Sequence, residues 1–204
     1  MISLPLNFIT GLIVSFLGTL PLGVLNITIM DVSLKKGMKS AFRFALACAI
    51  VELVYSYISV QLTKSIIEFP ALRPATEVIA IVTLFGMGIY YVRKHNNPTA
   101  GKQKTVSSFY LGTILSILNV LAFPFWILYT TLLQGKGIVG LSQDSLIAFY
   151  VLGISIGTIA GLLPFAYASR LLSRIIAVHQ HRMDRMIGCI FILLSLCQFV
   201  SIIV

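Results

Sequence analysis

The chain has 204 residues, 58% of them hydrophobic and only 10% charged, with a mean hydropathy of +0.98. Soluble domains carry roughly 25% charged residues, so the composition excludes that class and predicts an all-α integral membrane protein. The net charge of +9 does not point to nucleic acid, because the basic residues fall in short loops between apolar segments and not on one face of a domain.

A membrane-crossing helix needs about 20 apolar residues, and that rule predicts six spans, near 5–30, 40–64, 75–92, 108–133, 145–169 and 186–204. The N-terminus has no basic n-region and no small-residue cleavage site, so the first segment is expected to stay as a span and not to leave as a signal peptide. At its centre lies GTLPLGVLN, residues 18–26. Pro21 removes a backbone donor and frees the carbonyl four residues earlier, while Gly23 permits unwinding or close approach of another helix. Such a break is tolerated at membrane depth only where protein or a wet cavity meets the released groups. A half-helix starting near Val24 would present free N–H groups, a seat for a carboxylate, with Asn26 beside it.

In the second span Glu52 is the one ionisable side chain near the middle, about twelve residues from either end and hence near the midplane at ~1.5 Å per residue. A charge there costs on the order of 2.5–3.5 kcal/mol even on the lenient insertion scales, and such residues face protein or water and usually serve function. Cys48, Glu52, Tyr55, Ser56, Ser59 and Thr63 share one helical face. That polar stripe reads as a wall of a substrate path. Its acid could carry a proton, pair with a cationic substrate, or simply tie two helices together. The third span is the weakest, because Glu77 trims its outer end. HNNPTAGKQKTVSS, residues 95–108, is the one polar linker. It separates a first repeat, 1–94, from a second, 108–204, with 95–107 as the linker between them. Three spans in each half mean that homologous halves would be inserted in opposite directions, the plan of many secondary transporters. The fourth span supports this with GTILSILN, residues 112–119, placed as GTLPLGVLN is placed in the first. Its Asn119 and Pro124, with Phe123, Phe125 and Trp126 alongside, form the counterpart break. The spans are thus expected as two inverted three-helix repeats with helices 1 and 4 kinked or broken. In the fifth span Gly153, Gly157 and Gly161 make a smooth packing strip that serves either within the chain or between two copies of a homodimer.

Twelve of the fifteen Lys and Arg residues lie in loops 31–43, 93–107 and 170–185. The positive-inside rule therefore places these loops in the cytoplasm and both termini outside it. Cys48, Cys189 and Cys197 lie in apolar segments without metal-ligand spacing, and His95, His179 and His181 lie in basic loops. No phosphate-binding loop, HExxH, CxxC, Ser/His/Asp set or paired carboxylates occurs in the spans. No enzyme activity, metal site or cofactor is therefore expected.

Three stretches carry a family resemblance: PLGVLN, then SLKKGMKSAF, then ALACAIVELVY. Together with FYLGTILSILNVLAFPFW, residues 109–126, they make the chain resemble the LysE/RhtB family of amino-acid exporters. The family pattern has proline where Val24 and Val120 stand here, with Pro21 and Pro124 nearby. The resemblance implies a bacterial inner-membrane exporter of amino acids or similar small zwitterions, driven by protons. The residues expected to serve it are Glu52, Asn26, Asn119, Pro21, Gly23, Pro124, Tyr55 and Ser56. Two other readings fit less of the chain. A metal-cation exporter of similar fold would have a thin ligand set in one acid and two asparagines. A structural membrane protein without transport would require Glu52 and both asparagines to be dispensable.

Overall fold

The structure is a computed structural model that describes residues 3–68, 73–93, 106–119 and 122–171, with scattered residues between 185 and 200. All regular structure among the described residues is helical: α1 (Leu4–Thr19), α2 (Val24–Lys36), α3 (Met38–Glu68), α4 (Arg73–Arg93), α5 (Ser108–Leu118), α6 (Ala122–Gly135) and α7 (Asp144–Tyr167). Two of these, α3 and α7, are each long and apolar enough to cross a membrane, and the pairs α1 + α2 and α5 + α6 qualify as two more spans if each bent pair counts as one. The linker expected at 95–107 lies outside the described residues apart from 106 and 107, and so does most of loop 170–185. The chain divides into two units, Met1–Lys64 with Gln103–Arg174 and Ser65–Lys102 with Ile175–Val204.

In the first unit small and hydroxylated residues are buried alongside an apolar core that includes Val60, Trp126, Ile147, Tyr150 and Ile154, while many large aliphatics face outward. Along α1 the buried positions are Asn7, Gly11 and Ser15, whereas Leu6, Ile9, Ile13 and Leu17 are exposed. On α3, Ser56, Ser59 and Thr63 are buried while Val54, Ile58 and Leu62 face outward. Small and hydroxylated residues at helix interfaces with large aliphatics outside are the arrangement of helices packed in lipid. This is a multi-pass membrane protein.

Packing of α1 against α7 is the closest in this unit. A Cβ added at Gly153 would run into the Phe8 carbonyl, at Gly157 into the Leu12 carbonyl, and at Gly161 to 2.7 Å from Thr19 Cβ. The glycine strip of the fifth span is therefore covered by α1 of the same chain. That close approach lets Ser15 Oγ and Thr158 Oγ1 share a hydrogen bond of 2.9 Å. At the other end of α1, fully buried Asn7 donates to the Gly140 and Leu146 carbonyls, both at 2.9 Å, and accepts from Gly140 N–H at 3.1 Å. It fastens the turn between α6 and α7 to α1. Asn7→Ala removes three bonds worth about 0.5–1.5 kcal/mol each. It should cost roughly 2–4 kcal/mol, measured as reduced resistance of the detergent-purified protein to thermal unfolding.

Between α2 and α3 there is a single residue, Gly37. Its φ of +80° lies in the left-handed region that suits glycine, and its N–H caps the Ser33 carbonyl at 3.0 Å. Lys35 and Lys36 in the last turn of α2 complement the helix dipole there.

In the second unit α4 spans 21 residues, about 30 Å at ~1.5 Å rise per residue, where the third span was expected. The described residues from 185 to 200 are helical, in the region of the expected sixth span. Gly88 and Gly188 face each other closely enough that a Cβ on either would meet the other's carbonyl within 3 Å. Ser195 Oγ donates to the Ile81 carbonyl at 3.1 Å.

Candidate functional site

The first expected span is two helices bent by 80°. Leu20 still has helical φ −65°, ψ −35°, but Pro21 has no N–H with which to continue the ladder, and α1 stops there. Gly23 then leads into α2 in an extended conformation, φ −110°, ψ −174°. Its added Cβ would have one neighbour, the Pro21 carbonyl at 4.0 Å. Neither a left-handed backbone nor a close helix therefore requires glycine at 23. Asn26 is 4% exposed, and its Nδ2 donates to the carbonyls of Thr19 at 2.7 Å and Pro21 at 3.3 Å. It satisfies carbonyls that the end of α1 leaves without intrahelical partners. The N-cap residue, Gly23, has no side chain with which to cap α2, so it leaves the first-turn amides of Val24 and Leu25 unclaimed. Asn26→Asp would replace both donors by lone pairs aimed at carbonyl oxygens. The substitution should leave α1 and α2 without their brace, lowering the yield of monodisperse protein on size exclusion far more than Asn26→Gln.

The fourth expected span is likewise two helices, α5 and α6, inclined by 65°. Asn119 ends α5, its N–H bonded to the Ser116 carbonyl at 3.1 Å and its carbonyl accepting from Ala122 N–H at 3.1 Å. Val120 lies outside the described residues. Pro124 stands in the first turn of α6, where the amide it lacks would have had no intrahelical acceptor. It helps to start a helix there.

The polar stripe of α3 faces this second break. Tyr55 Oη donates to the Ile117 carbonyl at 2.6 Å, in the last turn of α5, and Ser59 Oγ to the Phe123 carbonyl at 3.4 Å. Glu52 Oε1 accepts the indole N–H of Trp126, four residues into α6. Cys48 points to the Gly112 carbonyl at 3.8 Å. Gly112 has no room for a Cβ, which would lie 2.7 Å from the Phe44 carbonyl, so α5 sits directly against α3. Ser56 is buried but bonds its own helix, at Leu53 O, 3.1 Å. The Ser116 hydroxyl lies on the buried face of α5, on the side of Cys48.

Aromatic rings connect the two breaks. An added Cβ on Gly18, one residue before the end of α1, would lie 2.7 Å from Phe125 Cζ. Phe125 in turn meets Trp126 edge-on with ring centroids 5.0 Å apart. Trp126 is itself 1% exposed and packs at right angles to fully buried Tyr150, 6.4 Å away. Tyr55 and Phe123 lie 4.5 Å apart on the other side. A continuous line of contacts thus runs from the end of α1 through Phe125 and Trp126 to Glu52. The aromatic cluster was visible in the sequence, but nothing along the chain marked Trp126 as the partner of Glu52.

Beside that line Thr130 Oγ1 and Tyr150 Oη share a hydrogen bond of 3.3 Å. Asp31 forms an ion pair with Lys35 on its own helix, 2.8 Å. Two cavities open elsewhere on the first unit. One of about 290 Å³ lies between α3 and α7, lined by Leu53, Tyr57, Gln61 and Asp144 among others. A second of about 480 Å³ lies between the start of α3 and the end of α7. Glu52 lines neither. Among the described residues no three His, Cys, Asp or Glu side chains gather as a metal site.

Comparison with known proteins gave no match among curated proteins and none among solved structures. A family model does match, that of the LysE type translocators, over residues 16–200. The match covers both broken helix pairs, the Glu52 stripe and the glycine strip, and the chain belongs to the LysE type translocator family, a family of transporters.

Proposed function

We propose that the protein exports amino acids or similar small zwitterionic metabolites in exchange for protons. Its place would be the bacterial inner membrane, with both termini outside the cytoplasm and residues 1–94 and 108–204 as inverted repeats around the linker 95–107. The observation that carries this reading is the seat of Glu52. The acid lies at the middle of α3 and is held by an N–H from α6 just past one helix break. Through Phe125 it is in contact with the end of α1 at the other break. Two interrupted helices flanking a midplane acid are the usual setting for a transported substrate.

In this mechanism the substrate ammonium displaces the Trp126 indole and pairs with Glu52. The substrate carboxylate takes the open first-turn amides of α2, where the positive end of that helix favours an anion. Asn119, Tyr55 and Ser56 frame the space between. A proton arriving from outside then takes the place of the ammonium on Glu52, and the substrate leaves. Asn26 and Pro21 keep the α2 amides available by holding the break open, and Pro124 does the same for α6.

The test is efflux from proteoliposomes preloaded with labelled basic, hydroxylated and aliphatic amino acids under an imposed pH gradient. At least one class should leave faster with the gradient than without it, and a protonophore should abolish the difference. Gradient-independent leakage of every class would overturn the proposal.

A further inference from the structure

The groove between the first turn of α3 and the last turn of α7 has a composition that the transport reading leaves unexplained. It encloses about 480 Å³ and is lined by Met38, Lys39, Phe42, Arg43, Leu163 and Tyr167. Two cations one helical turn apart share it with four apolar or aromatic side chains, and among the described residues no acid lines it. Neither Lys39 nor Arg43 makes an ion pair or hydrogen bond with a described residue. Phe42 and Tyr167 stand well out of the helix surface, 49% and 74% exposed. Lys35 and Lys36 close α2 just before the groove, and because the positive end of α3 and the negative end of α7 both meet there, its charge comes from the Lys39 and Arg43 side chains. Large exposed aromatics beside paired cations at the end of a membrane helix match the level of lipid headgroups.

We infer that this groove binds an anionic phospholipid, its phosphate held between Lys39 and Arg43 and an acyl chain lying along Phe42 and Leu163. Basic pockets between transmembrane helices take acidic headgroups in this way. A zwitterionic lipid would bring a trimethylammonium group into a site that already holds two positive charges. The inference concerns the outer surface of the bundle and holds for any cargo.

The experiment uses the full-length protein, delipidated in detergent and exposed to equal amounts of phosphatidylglycerol and phosphatidylcholine with identical chains. Retained lipid is read by native mass spectrometry. Phosphatidylglycerol should be retained in preference. The double change Lys39→Gln with Arg43→Gln should lower its retention roughly tenfold or more. Lys39→Arg with Arg43→Lys should preserve it. The pair Lys35→Gln with Lys36→Gln, which removes two charges from the neighbouring end of α2, should change it less than about twofold. All four side chains are exposed, so unchanged elution of each variant is the accompanying check of folding. Three results would overturn the inference: equal losses in the two glutamine pairs, equal retention of the two lipids, or displacement of phosphatidylglycerol by inorganic phosphate alone. The first would mean diffuse attraction, and the last a site for free phosphate.

Discussion

The Glu52→Gln protein is expected to insert, to fold and to keep its α3–α6 contact, yet to lose gradient-driven export. Glutamine has the same shape as glutamate and retains a carbonyl oxygen to accept the Trp126 N–H. What it lacks is a site that can take up and release a proton, or a charge for a substrate ammonium. If Glu52 is the exchange site, less than roughly 1% of the gradient-driven rate should remain, a loss on the order of 2.7 kcal/mol. Trp126→Phe separates this from a merely structural acid. Phenylalanine keeps an aromatic ring against Phe125 and Tyr150 but takes away the N–H, so it breaks the tie between α3 and α6 while leaving the acid. A structural Glu52 predicts that Trp126→Phe is the harmful change and Glu52→Gln the harmless one. An exchanging Glu52 predicts the reverse order in the efflux assay, with both proteins monodisperse. Efflux from Glu52→Gln vesicles that still follows the pH gradient would remove the acid from the mechanism.

The two helix breaks and the stripe on α3 were legible along the chain because each is a local offence against an apolar span. Pro21 and Asn26 sit where Leu or Val would cost nothing, and Glu52 recurs in helical register with Tyr55, Ser56, Ser59 and Thr63. What those residues do locally was less legible. The same local signal marks a substrate ligand and a residue that mends a break, and only the third dimension separates them. Asn26 spends its donors on Thr19 and Pro21, and Tyr55 donates to a carbonyl in the last turn of α5. Pro124 falls at a helix start instead of interrupting one. Gly23 has no geometric need to be glycine, although its position beside Pro21 made it conspicuous. Contacts of long sequence separation left no trace that could be read in advance. Asn7 meets Gly140 across 133 positions, and Trp126 meets Glu52 across 74. A carboxamide in the first span was nonetheless a signal of the same kind as Asn26. Read with Gly11 and Ser15 at intervals of four, Asn7 marks the face of α1 that α7 covers.

That covered face carries the largest expected effect on stability. Gly153→Leu should leave little or no folded protein, because α1 and α7 touch through their backbones at this level. Even a methyl group at 153 would occupy the position of the Phe8 carbonyl, and the reciprocal glycine, Gly11, already lies against the Tyr150 carbonyl. Carbonyls in a helix cannot rotate aside as the end of a long side chain can, so the two helices would have to separate. Separation breaks the 2.9 Å bridge between Ser15 and Thr158 and pulls Asn7 from the Gly140 turn, leaving buried polar groups without partners. Overpacking alone typically costs about 1–3 kcal/mol, and each orphaned group adds about 1–3 kcal/mol more. Their sum is comparable with the whole stability of many domains, roughly 5–15 kcal/mol. Gly135→Ala is the matched control, since an added Cβ there meets nothing within 4 Å. Thermal unfolding followed by size exclusion in detergent should show Gly135→Ala like the parent and Gly153→Leu aggregated or absent. A Gly153→Leu protein that unfolds within about 2 °C of the parent would mean that α1 does not lie on the strip. The strip also bears on transport. Its last member, Gly161, meets Thr19, the final residue of α1, so α7 supports α1 as far as the 80° bend and leaves it there. The bend at Pro21 is thus anchored on one side by backbone contact and on the other by the Asn26 brace. Gly161→Ala, which disturbs that anchor with less loss of packing, should reduce export more than it reduces stability.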